Sequence, residues 1–377
     1  MAGIYIHIPF CKKACHYCNF HFSTSMKYKS EMIEAICLEL SSRADEFSRE
    51  EVNTIYFGGG TPSLMSQKEV SLLLSTIYDH YQISQSLEVT IEANPDDLDY
   101  SILEELKRSG INRLSIGIQS FSDDLLYQMN RVHTGDESEQ SVQKAKQIGF
   151  ENISIDLIFG LPELTNNLWQ ETLSQAIDLE VQHLSCYNLT LEENTALWHF
   201  VNNNKMTLPK ENDQESQFFY AHDFLASQGY NHYEISNYSL LGAQSKHNSN
   251  YWNRTAYMGV GPSAHSYQSN RRRWNINNNS KYMKAILGDF DYFDEEILSK
   301  QNQFNEIIML GLRTATGVSK SILNHYDYSK TTEFLKTINE YINHKIIIET
   351  GTHYKLTNQS FYLSDNISSN LFMNNHE

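Results

Sequence analysis

The order of hydrophobic patterns along this chain constrains its fold more than any other feature. Six short strand-like runs, at residues 4–8, 54–57, 87–91, 113–118, 153–159 and 183–189, alternate with helix-like segments such as 26–47 and 66–81. Strands separated by helices do not pair as hairpins; each returns by a crossover, and the result is a parallel sheet. A right-handed series of this length either opens into a doubly wound sheet or curls into a full or partial barrel, and strand count alone leaves both open. Ser66 followed by Glu69 predicts a capping box, and Gly110 and Gly149 predict stops after helices ending near 109 and 148.

At 377 residues the chain exceeds one typical domain, so a barrel over residues 1–200 is expected to carry further parts. Residues 201–300, rich in Asn, Tyr and His, read as an elaboration over one end of the sheet. Residues 301–377 read as a small C-terminal α+β unit, helical at 307–312 and 331–342, with a hairpin at 345–349 and 353–356. A DNA-binding winged helix shares that outline, but a formal net charge of −17 argues against nucleic acid or an anionic membrane as the main partner. No run reaches the roughly 20 apolar residues of a membrane helix. The strand pattern starting at Gly3 leaves no room for a signal peptide.

Three of the five cysteines, Cys11, Cys15 and Cys18, lie directly after the first strand pattern. So few cysteines in so long a chain fit a reducing cytoplasm better than a disulfide scaffold, and Cys37 and Cys186 read as isolated structural thiols. Three thiolates are one short of the four that close a structural zinc site or saturate a four-iron cluster. Zinc with His16 or His21 as fourth ligand is one reading. Against it, no second cysteine pair exists, and the triad sits at a strand's C-terminal end, where α/β folds build active sites. Later strand ends carry matching groups. Gly58-Gly59-Gly60-Thr61-Pro62 either lets backbone approach a small ligand or is a flexible turn. Glu92, Gln119 and Asp156 stand at or within the third, fourth and fifth strand patterns, whose ends converge on one mouth in a parallel barrel.

The C-x3-C-x2-C spacing, with Tyr17 just before the third cysteine, resembles the radical S-adenosylmethionine (SAM) superfamily. The resemblance implies a partial, TIM-like (β/α)6 barrel, a [4Fe–4S] cluster on Cys11, Cys15 and Cys18, and SAM chelating the unique iron. It also implies that Gly59, Gly60 and Thr61 flank the methionine part of SAM, that Glu92, Gln119, Arg131 and Asp156 line the rest, and that Tyr5 contacts the cofactor. The stretches 5–11, 58–63, 156–162 and 310–313 are similar to the branch that contains oxygen-independent coproporphyrinogen III oxidases and haem chaperones, and the resemblance covers nearly the whole chain.

Phe20 stands where the oxidases carry a further cysteine, and their longer N-terminal lead-in is missing. His247-Asn248-Ser249-Asn250-Tyr251-Trp252 instead resembles the H-N-x-x-Y-W signature of the haem chaperones. That implies an axial nitrogen from His247, with Asn248, Tyr251 and Trp252 about the porphyrin and Arg271, Arg272 and Arg273 available to propionates. The plainer alternative is a polar loop whose His and Asn bond backbone while Tyr251 and Trp252 anchor it. His265, in a Gly-Pro turn, reads as structural. The expected activity is that of a cytoplasmic haem chaperone, monomer or dimer, that passes haem to membrane-associated respiratory apoproteins. The competing expectations are oxidative decarboxylation of coproporphyrinogen III to protoporphyrinogen IX, and a zinc-stabilised binding module without redox chemistry.

Overall fold

The first strand, β1 (Ala2–Ile8), is buried along nearly its whole length, as a parallel strand covered on both faces must be. In the computed structural model, which describes residues 1–288 and 290–373, it is followed by α1 (Lys29–Ser42), β2 (Glu51–Gly59), α2 (Gln67–His80), β3 (Gln82–Ala93), α3 (Tyr100–Arg108), β4 (Arg113–Gln119), α4 (Asp123–Gln128), α5 (Gly135–Ile148), β5 (Ile153–Phe159), α6 (Asn166–Asp178) and β6 (His183–Asn188). These strands pair in sequence order and all in parallel, so their C-terminal ends share one mouth. β1 and β6 do not close on each other; each takes an added strand instead. The core is therefore a partial (β/α)6 barrel.

Local chemistry sets the element ends. Ser66 and Glu69 form the capping box of α2, and Thr134 with Glu137 repeats it at α5. α5 stops on Gly149 at φ +89°, a left-handed conformation glycine adopts without penalty. The helix expected over 26–47 is shorter. α1 ends where Arg43 turns its buried guanidinium onto Glu39, the Gly259 carbonyl and Ser266. β3 starts earlier than its sequence pattern, in polar Gln82-Ile83-Ser84-Gln85-Ser86 that carries no apolar alternation.

Residues beyond the barrel extend its sheet at both edges. After α7 (Ala196–Asn202) and α8 (Glu211–Ser227), β7 (Asn231–Glu234) and β8 (Asn237–Ser239) form a hairpin antiparallel to β6. Following α9 (Lys246–Trp252), β9 (Tyr257–Val260) joins β1 in parallel. Then β10 (His265–Gln268), β11 (Arg271–Asn275) and, past α10 (Asn279–Gly288), β12 (Phe293–Ile297) continue that edge antiparallel, giving a 12-stranded sheet. Strands of three to five residues leave too little sequence for a period-2 signal.

The C-terminal unit comprises α11 (Lys300–Leu312), β13 (Val318–Ser319), α12 (Lys320–Leu323), α13 (Thr332–Asn343), β14 (Ile347–Glu349), β15 (His353–Leu356) and α14 (Ser364–Asn370). Its sheet runs β13-β15-β14. Phe304 of α11 meets Phe334 of α13 edge-on, with centroids 5.4 Å apart. Backbone bonds from Ile235 to Arg313 at 2.9 Å and from Ala315 to Tyr233 at 3.0 Å tie the unit to the barrel, and one apolar core runs through both.

Candidate functional site

At the mouth, the chain leaves β1 into a loop pinned at its neck. The Cys11 N–H donates to the Ser23 carbonyl at 3.0 Å, and the Ser23 N–H to the Pro9 carbonyl at 2.9 Å. Within the loop Cys11, Cys15 and Cys18 are free, half-buried thiols. Burial pushes the Cys18 thiol up to about 11, with repulsion from Cys15 and Cys11 adding to it. Burial raises Cys11 too, against a hydrogen bond with Thr61. Such thiols stay protonated until a metal centre displaces their protons.

Each proposed zinc partner has one ring nitrogen bonded to the protein. His16 gives its Nδ1–H to the Gln128 carbonyl at 2.8 Å, and His21 Nε2 bonds Asn279 Oδ1 at 2.6 Å. Among the described residues, no three His, Cys, Asp or Glu side chains gather as a single ion requires. Arg131 Nη1 instead lies 3.4 Å from Cys15 Sγ, a fixed cation beside a thiolate-to-be. Three sulfurs with a guanidinium beside one of them fit a cluster that leaves one corner open.

The end of β2 is zipped onto the stem of this loop. The Gly60 N–H bonds the Ile8 carbonyl at 2.9 Å, and a Cβ on Gly60 would stand 2.5 Å from the Phe10 carbonyl oxygen. Gly59 has φ +107°, and its Cβ would meet the His7 ring at 2.6 Å. The glycines make a close backbone contact here, not a flexible turn. Thr61 Oγ1 accepts from Asn94 Nδ2 at 3.2 Å, and Asn94 Oδ1 accepts from Arg131 Nη2 at 2.6 Å. The same Nη2 reaches the Gly117 carbonyl at 2.7 Å, while Arg131 Nε is buried without a partner.

Deeper in the mouth, Glu92 accepts from the Tyr56 hydroxyl at 2.8 Å and the Gly59 N–H at 3.2 Å. Burial pushes Glu92 up to about 7; the Tyr56 hydrogen bond opposes this and the Asp156 charge adds to it. Burial also raises Asp156, which takes the Ser115 hydroxyl at 3.3 Å. Gln119 closes β4 at φ +69°, and its Nε2 would lie 2.8 Å from a Cβ on Gly117. A left-handed residue other than glycine costs on the order of 1 kcal/mol and persists only where its surroundings hold it. Tyr5 stacks on Tyr56 at 6.1 Å and 25°, with its hydroxyl 3.2 Å from His7 Nδ1.

α9 sits at the opposite end of the barrel. The Glu88 carboxylate takes the Lys246 and His247 N–H groups at 3.1 and 3.0 Å, and Ser245 Oγ takes that of Asn248 at 3.2 Å, so the unpaired donors of the helix start are satisfied. His247 is 1% exposed and stacks on Tyr56 at 5.0 Å. Its Nδ1 lies 2.8 Å from Thr54 Oγ1 and its Nε2 2.9 Å from the Tyr251 hydroxyl, so both ring nitrogens are taken. Burial, then the Arg113 charge, pushes its pKa down to about 3. Asn248 is half-buried, and Tyr251 packs edge-on to Tyr257 at 4.6 Å. Trp252 has a buried indole N–H without a partner. Arg271, Arg272 and Arg273 pair with Glu295, Glu296 and Glu46, so their charge is answered within the protein.

Residues 5–176 match the radical SAM superfamily. A Lactococcus lactis protein named haem chaperone HemW is 35% identical over 96% of this chain and 95% of its own length. A Bacillus subtilis protein of the same name is 36% identical over 85% of each. The chain belongs to the HemW family of the radical SAM superfamily. Its fold is also that of a solved structure, the Escherichia coli coproporphyrinogen III oxidase HemN, with a TM-score of 0.85 over 99% of this chain and 90% of that one at 21% identity.

Three residues of this HemW-family chain escaped the sequence reading. Asn94 couples Arg131 to Thr61, and a polar residue just past a strand end and before Pro95 was a usable signal. Thr54 and Glu88 fix His247, but as buried strand residues they carry no mark of it in sequence.

Proposed function

We propose that this chain is a cytoplasmic haem chaperone that binds a [4Fe–4S] cluster, SAM and haem, and delivers haem to respiratory apoproteins at the membrane surface. The observation that carries this reading is 35% identity, over 95% of its length, to a protein named for that role. Cys11, Cys15 and Cys18 are the cluster ligands, and the bound cluster would supply an electron and an open iron corner for SAM. Arg131 offsets thiolate charge from its place beside Cys15. Gly59, Gly60 and Thr61 flank the cofactor's amino-acid end, the two glycines leaving out side chains for which there is no room. Glu92 and Asp156 offer acceptors for hydroxyl groups, while Gln119 and Tyr5 border the remaining space. α9 is the haem-contacting element: Trp252 offers a flat ring, and His247, Asn248 and Tyr251 hold the helix from inside.

The fold likeness to HemN favours porphyrinogen decarboxylation as the second reading. Phe20, 67% exposed beside the cysteine loop, supplies no thiol where the oxidases carry one. Reconstituted, dithionite-reduced chain is incubated anaerobically with SAM and coproporphyrinogen III, and a second sample is titrated with haemin. The chaperone reading expects saturable haem binding and no protoporphyrinogen IX. Multiple turnovers to protoporphyrinogen IX would overturn it.

A further inference from the structure

A groove of about 670 Å³ lies away from the cluster mouth, at the seam between α9, the β10–β11 turn and the C-terminal unit. Trp252, Tyr267, Ile307 and Leu310 give it flat aromatic and aliphatic walls. Its size falls in the roughly 300–1,000 Å³ range of cofactor pockets, which combine apolar walls with a few placed polar groups.

Its polar lining, otherwise of Asn, Gln, Ser and Thr side chains, includes Arg254 and His353. Arg254 sits at φ +55°, with its guanidinium 5.6 Å from the Tyr267 ring centre and its Nε buried without a partner. Unlike Arg271, Arg272 and Arg273, it has no ion pair among the described residues, and Glu306 nearby is already held by Arg272. His353 spends Nδ1 on Thr352 Oγ1 at 2.9 Å, and its Nε2 has no hydrogen-bond partner among the described residues. An imidazole with one nitrogen fixed and the other free is how proteins present a ligand to a metal. The buried indole N–H of Trp252 is a further unmet donor. Flat aromatic and aliphatic walls, a guanidinium without an ion pair, an orphan N–H and an open imidazole suit a planar, iron-bearing, anionic tetrapyrrole.

We infer that this groove is the haem site, with His353 as iron ligand, Arg254 on a propionate and Trp252 against the macrocycle. The inference rests on the haem-chaperone reading. It places the iron ligand on His353, because His247 has both nitrogens engaged inside the barrel.

The test is a haemin titration of the full, cluster-reconstituted chain, followed by the Soret band and by electron paramagnetic resonance of the ferric iron. His353→Ala is expected to weaken binding about tenfold, equivalent to ~1.4 kcal/mol, and to change both spectra. His344→Gln, which lies outside the groove, keeps the wild-type values. Arg254→Gln is expected to weaken haemin binding severalfold yet bind the haemin dimethyl ester, whose propionates carry no charge, as the wild type does. Circular dichroism checks that each variant is folded. If the wild type binds haem while His353→Ala and Arg254→Gln match it in affinity and spectrum, the groove assignment is wrong and the chaperone reading stands. Loss of the axial signature in His247→Ala but not in His353→Ala overturns the assignment in the same way. A wild type that binds no haem contradicts the chaperone reading and this site with it.

Discussion

Gly60 shows how a single absent methyl group positions the cysteine loop. A Cβ there would meet backbone at 2.5 and 2.8 Å, where no side chain can swing aside, whereas Gly351 has nothing within 4 Å. Gly60→Ala is therefore expected to destabilise the chain by ~1–3 kcal/mol, the usual cost of overpacking, and to lower the iron bound per chain after reconstitution. Gly351→Ala should change neither. Urea midpoints and iron analysis check this; full iron loading in Gly60→Ala would contradict the account. At this scale the cysteine spacing and the strand-end carboxylates were legible, because short spacings survive in one dimension. The enclosure of His247 was not, since it depends on Thr54, 193 positions away in sequence, and on the register of β2.

Among the elements, α9 carries the most consequence for its length. Its start is held by Glu88 and Ser245, and its His247 ring fills space between Tyr56, Thr54 and Gly3 on the barrel floor. His247→Ala removes that ring and leaves buried hydroxyls unpaired. A loss of ~2–4 kcal/mol in unfolding free energy is expected from the cavity and the unmet hydrogen bonds together. Denaturant unfolding of the metal-free chain measures it, and a change below ~0.5 kcal/mol would show that the ring is not structural. The six parallel strands were readable as buried apolar runs. The added strands β7 to β12 were not, because they are short and their pairing is set by neighbours distant in sequence. The helix expected to reach residue 47 was cut by the ion network at Arg43, which sequence periodicity does not register.

For the whole molecule, titration couples to stability. Burial leads in holding His7 and His133 down to about 4, His232 and His247 to about 3, and His183 well below the usual value. Each binds a proton in the unfolded chain first, so its contribution is present above about pH 6.5 and lost as pH falls toward 4. Glu92 and Glu234 are raised to about 7, chiefly by burial, and work oppositely: stability rises as pH falls from 7 to 4.5. The five buried histidines are opposed by Glu92 and Glu234 and, lower in the range, by the raised Asp156 and Glu306. The metal-free chain should lose stability below pH 6.5, with a slope of about 1–4 kcal/mol per pH unit from one to three net protons at ~1.4 kcal/mol each. Urea unfolding between pH 7.5 and 5 gives the slope, and a flat profile would show that these histidines are not held neutral.

A haem chaperone must give its haem away. Haem-loaded chain with its cluster intact is mixed anaerobically with membranes whose cytochromes have been stripped of haem, and the Soret spectrum of the sedimented membranes is followed. Haem is expected to move into those cytochromes faster than from haem-loaded serum albumin. Haem that stays with the chain, or transfer no faster than from albumin, would contradict the chaperone reading.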